Sequence, residues 1–150
     1  MDINLNEGIQ FEENGIFLKW GKAINPLCNE FGKTKEIIGN SIQYNWGKHK
    51  ILDGLELDLT TSFANIGYAR WFRKKFNKLE SWFIGDDQAI GQFDKISLHL
   101  TTLFGQPSIK EENMDLREKH LIWKIENVEI SLYLFEQHCY KLHFLIEKSS

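Results

Sequence analysis

The stretch FGKTKEIIGNSIQYNWGKHKILDGLELDLTTSFANIGYARWFRK, Phe31 to Lys74, decides how the chain is read, because its pattern returns 73 positions later. Phe31-Gly32 matches Phe104-Gly105, and Leu57-Asp58-Leu59 matches Ile130-Ser131-Leu132 at the same offset. Ser62 to Lys75 lies over Phe135 to Lys148 without a gap, setting Trp71 on Phe144 and Phe72 on Leu145. Trp46 answers Trp123 at an offset of 77, as it would if one loop were four residues longer before the tryptophan and another four shorter after it.

Outward from this stretch, both copies read as a strand, a helix and three further strands. In the first, Gly15 to Trp20 is a short apolar strand, and Asn25-Pro26 supplies a cap and a first-turn proline. Leu27 and Phe31 share a helix face, and Gly32 can end the helix. A polar connection, Lys33 to Ser41, leads to Ile42-Gln-Tyr-Asn-Trp46. That strand ends in a glycine-flanked turn from Gly47 to Gly54, before the alternating Leu55-Glu-Leu-Asp-Leu59. Ile66 to Arg73 returns as the last strand. In the second copy, Leu79 to Ile84 is the opening strand, and Asp86 and Asp87 stand where helix caps belong. Ile90, Phe93, Ile96, Leu100, Leu103 and Phe104 then recur at helical spacing up to Gly105 and Pro107. Leu121 to Ile125, Val128 to Leu134 and Tyr140 to Ile146 follow as strands, the first two joined by Glu126-Asn127.

A helix laid on four strands covers one face and leaves the other open. The fold expected is therefore α+β: a tandem duplication of a strand-helix-three-strand unit, forming one antiparallel sheet of about eight strands with both helices on one face. Residues 1-150 form one domain of two repeats, about 15-77 and 78-148, after an N-terminal arm, 1-14.

The 150 residues are 42% apolar and 26% charged, enough for one core and too evenly mixed for a long disordered tract. The acidic start of the chain and the absence of any run of roughly 20 apolar residues predict a soluble, cytoplasmic protein without membrane association. Cys28 and Cys139 occupy unmatched places in the repeat and read as reduced thiols. A formal charge of −3 makes nucleic acid an unfavourable partner. Arg70, Arg73, Lys74, Lys75 and Lys78, with Trp71, Phe72 and Phe76, form the one basic-aromatic cluster, which reads as a strand end with solvated charges.

With Leu55, Leu57 and Leu59, Val128 to Leu134 in alternation, and Leu142, Phe144 and Ile146 turned inward, the open face receives Glu56, Asp58, Glu129, Tyr133, Phe135 and His143. By register it also receives Tyr68, Arg70 and Phe72. Aromatic residues and arginine with a charged rim are the residue types of a partner surface. Cover by the N-terminal arm, or by a second copy in a homodimer, stays open as an alternative.

No Gly-rich phosphate loop, GxSxG elbow, HExxH or CxxC pair occurs, so no cofactor and no catalytic residue are assigned. His138, Cys139 and His143 lack the fourth ligand of a closed zinc site, and no metal is assigned. Glu56/Asp58 and Asp86/Asp87 are explained by strand solvation and helix capping.

The tandem arrangement, with Phe104-Gly105-Gln106-Pro107 as a helix stop and a tryptophan opening the next hairpin, resembles the β-lactamase inhibitory protein type of fold. It is also similar to small outer-membrane assembly lipoproteins, although the first copy has Phe31-Gly32-Lys33-Thr34 with no proline. Such folds imply a concave sheet that clasps another protein, and short, acidic, aromatic-rich bacterial chains are similar to toxin-immunity proteins. The function expected is a protein-binding inhibitor or immunity protein that docks a toxin or enzyme on the open sheet face. The alternative is a small enzyme without a known motif, or a ligand carrier, with its pocket between the repeats.

Overall fold

A computed structural model describes residues 4–30, 34–64 and 75–149 of the chain. Antiparallel strands dominate it, with two helices of which one is long. Two compact units divide between Glu80 and Ser81.

In the first unit, β1 (Gly8–Phe11) and β2 (Ile16–Lys19) pair antiparallel, with Gly8 opposite Lys19. Gly8 is required by close approach, since a Cβ there would lie 2.1 Å from the Leu18 carbonyl oxygen. The helix expected to begin at Pro26 behind an Asn25 cap is α1 (Ile24–Glu30): it starts at Ile24, so Asn25 is already helical and is not the cap, and it buries Ile24, Leu27 and Cys28.

The segment expected as a polar connection contains a strand, β3 (Thr34–Ile38), paired with β4 (Ser41–Ile51). Its neighbours Ile37 and Ile38 are both exposed, so no period of two marks it. The turn expected to start at Gly47 is also corrected: β4 passes Gly47 through a register shift between Asn45 and Gly47 and runs on to Ile51. Only Leu52, Asp53 and Gly54 turn, with φ of 51°, 62° and 95°. β5 (Leu55–Ala64) returns along β4, and Thr60 faces Glu80 at the start of β6 (Lys78–Ile84). The strand expected over Ile66 to Arg73 lies outside the described residues.

Alternation along β4 and β5 buries Ile42, Tyr44, Trp46, Leu55, Leu57 and Leu59. Each such side chain contributes about 1.5–3 kcal/mol on leaving water. Trp46 Nε1 donates to Thr61 Oγ1 at 2.9 Å, satisfying the one polar atom of a fully buried indole. The loop after β1 fastens to the β4–β5 end. Glu12 accepts from the amides of Asp53 at 2.6 Å and Gly54 at 2.8 Å. Glu13 accepts from the Lys50 amide at 2.9 Å and pairs with His49 Nδ1, while Phe11 stacks on the His49 ring at 3.9 Å. Burial works against the Glu13 carboxylate, but the Lys50 amide and the His49 ring outweigh it and hold its pKa below the ordinary 4.5.

The second unit takes up β6 from Ser81 and continues with α2 (Asp86–Phe104), β7 (Ile109–Asn113), β8 (Glu118–Ile125), β9 (Val128–Gln137) and β10 (Cys139–Lys148). The strand order is β6-β10-β9-β8-β7. β7, like β3 and like β1 within the stretch expected as an arm, is a strand that the sequence did not announce; four of its five residues are exposed. α2 packs on β9 and β10 through Ala89, Phe93, Ile96 and Leu100. Ile90, expected on that face, is exposed instead. Nor do Asp86 and Asp87 cap: Gly85 occupies the cap without a side-chain bond, both aspartates lie in the first turn, and Asp86 Oδ1 accepts the Tyr140 amide at 2.8 Å. The stop holds as read, Gly105 ending the helix at φ 87° and its carbonyl accepting Trp123 Nε1 at 2.9 Å. Beneath α2 the sheet buries Val128, Ile130, Leu132, Leu134, Leu142, Phe144 and Ile146.

Candidate functional site

The second unit's sheet presents, on the face away from α2, the alternate residues of each strand. From β9 come Glu129, Ser131, Tyr133 and Phe135, all half-buried beside one another. Register sets His143 on β10 and His120 on β8 directly across from Tyr133, and Glu111 on β7 across from His120. Trp82 of β6 stacks on the His143 ring with centroids 4.2 Å apart. His120 meets Tyr133 edge-on at 5.0 Å, and Tyr133 tilts against Phe135 at 4.9 Å. The result is a row, Trp82, His143, Tyr133, His120 and Glu111, crossing five strands over roughly 19 Å at the spacing of a β-sheet.

Two of these groups are held by polar contacts. His120 Nε2 and Ser131 Oγ are 2.7 Å apart. Burial, and after it a hydrogen bond to Glu118, pushes the Tyr133 hydroxyl pKa up. Trp82 stays 47% exposed, an indole held by neighbouring rings with much of its surface in water. Below this row lie Leu145, Ser131 and Ile122, and below those Glu147, Glu129 and Lys124. Four carboxylates, from Glu111, Glu118, Glu129 and Glu147, stand against the two ammonium groups of Lys124 and Lys141.

The structure thus brings together four of the residues predicted for the open face: Glu129, Tyr133, Phe135 and His143. Glu56 and Asp58 are exposed on β5, where each faces a lysine of β4, Lys50 and Lys48. Tyr68, Arg70 and Phe72 lie outside the described residues. Trp82 and His120 were missed. Trp82 sits in the run Leu79-Glu-Ser-Trp-Phe-Ile84, whose buried stretch, Leu79 to Ser81, shows no alternation. His120 acquires Tyr133 as a neighbour only through the register of the Glu126-Asn127 turn.

Chemically the face offers packed aromatic rings, imidazoles and carboxylates. The Ser131 and His120 pair has the distance of a nucleophile and its base. Ser131 nevertheless lies on a strand paired with β8 and β10, so the neighbouring amides are committed to the ladders and none is aimed at an oxyanion. Among the described residues no group of three or more His, Cys, Asp or Glu side chains is placed to hold a metal ion. His138 occupies the turn between β9 and β10 at φ 69°, and neither Cys28 nor Cys139 forms a disulfide. No helix among the described residues is long and apolar enough to cross a membrane.

No protein-family model, no curated protein and no solved structure matches the chain.

Proposed function

We propose that the chain is a protein-binding inhibitor of the immunity type, acting in the cytoplasm, which docks a basic partner on the face of the second unit turned away from α2. The observation that carries this is the ring row with Phe135 beside it: large, partly exposed aromatic groups held in fixed positions by one another. Aromatic anchors of this kind lose little side-chain freedom on binding, because stacking has already fixed them. The surplus of carboxylates around them complements a positively charged surface.

A duplicated architecture belongs to the same reading. Leu57 and Ile130, equivalent in the repeat, are both buried, while their neighbours Asp58 and Ser131 point the other way. Trp46 and Trp123 are both buried with the indole N–H donated. Both helices on one side of the strands is the arrangement that would leave a face bare for docking.

Capture from lysate of the source cells, followed by calorimetry with the identified partner, tests the proposal. Trp82→Ala and Phe135→Ala should each weaken the complex by about thirty-fold or more while the melting temperature stays near that of the parent. Recovery of the same proteins at the same affinity by the double variant would remove the docking face.

A further inference from the structure

A second surface, in the first unit, has a different chemistry. The groove between β2 and α1 measures about 490 Å³ and is lined by Phe17, Lys19, Lys22, Ala23, Pro26, Leu27 and Glu30. Alternation along β2 turns Leu18 into the core and sends Phe17 and Lys19 out on the same side. Phe17 is 41% exposed, and its ring faces a groove floored by Pro26 and Leu27.

The segment carrying Lys22 is fixed on both sides. The Gly21 amide donates to the Phe76 carbonyl at 2.8 Å, and the Phe76 amide donates to the Lys22 carbonyl at 2.7 Å. Next to it, Ala23, which lines the groove, bridges to Lys75, and paired residues of an antiparallel bridge project to the same side, so the exposed Lys75 side chain leaves the backbone beside the groove. Lys19, Lys22 and Lys75 against Glu30 give a local charge of +2 in a chain whose formal total is −3.

We propose that this groove binds a small phosphate monoester with a flat aromatic body, of the nucleoside monophosphate class. A phosphate monoester carries about −1.5 to −2 charges at neutral pH, which matches the groove, whereas a carboxylate would leave it half-compensated. The exposed ring of Phe17 supplies a stacking platform, as aromatic side chains do for bases in general. The volume lies within the range of small-molecule sites.

Amide chemical shifts of the full-length protein, titrated with adenosine 5′-monophosphate at neutral pH and low salt, test this directly. Saturable shifts confined to residues 16–30 and 75–76 are expected, weakened about ten-fold or more in Lys19→Gln/Lys22→Gln and several-fold in Phe17→Ala. All three side chains are exposed, so these variants keep the parent's dispersion of signals. Adenosine alone should bind at least ten-fold more weakly, and added salt should release the nucleotide. The proposal is overturned if the nucleotide causes no shifts at low-millimolar concentration, or if the lysine variant binds it unchanged. Inorganic phosphate binding as well as the nucleotide would leave only an ion site without selectivity, and would overturn it too.

Discussion

Leu132 and Tyr133 are neighbours on β9 that point to opposite faces, and replacing each by alanine tests the two-sidedness on which the proposed docking surface rests. Leu132 has no exposed surface and lies in the core beneath α2. Truncating a fully buried leucine in a core that cannot collapse costs about 3 kcal/mol. Tyr133 keeps ring contacts with His120 at 5.0 Å and Phe135 at 4.9 Å, on a face with no helix of its own unit over it. Losing two such contacts from a half-exposed ring costs about 1 kcal/mol. At a urea dependence of about 2 kcal/mol per molar, the midpoints should fall by about 1.5 M for Leu132→Ala and about 0.5 M for Tyr133→Ala. Circular dichroism at equilibrium measures both. Tyr133→Phe, which keeps the ring and removes only the hydroxyl near Glu118, should move the midpoint least. Equal losses from Leu132→Ala and Tyr133→Ala would mean that both faces are covered. A loss below about 1 kcal/mol for Leu132→Ala would mean that α2 does not close the core.

Glu13 has a pKa lowered on folding, so the stability it contributes is complete above about 4.5 and fades as pH falls through its folded value. Glu13→Gln should therefore be less stable than the parent near neutrality, and the gap should close below pH 4 or so in acid titrations followed by circular dichroism. Gly8→Ala should destabilise by about 3 kcal/mol or more, because the added carbon meets the backbone of Leu18, which cannot rotate away; thermal melts report it. Cys28 is buried and Cys139 half-buried, so a thiol reagent should modify Cys139 first in the native protein and reach Cys28 only on unfolding.

Much of the strand framework was legible in the sequence, for a local reason. Leu55-Glu-Leu-Asp-Leu59 and Val128 to Leu134 alternate because one face of each is dry, and that alternation names both the strand and its buried side. The stop at Gly105 was equally readable, since a helix end needs a residue at ease with positive φ. β3 and β7 escaped because a strand with exposed residues on both faces has no apolar period to betray it. Ladder bonds to β4 and β8 make them strands, and those bonds lie between segments. The aspartates at the start of α2 were misread because Asp86 answers an amide of β10, 54 residues away. The proposed binding surface divides in the same way. Period alone placed Tyr133, Phe135 and His143 on one side, whereas the assembly of Trp82, His143, Tyr133 and His120 into a single row depended on register across four strands. Register is fixed by turns and pairing in three dimensions, and no single stretch of the chain encodes it.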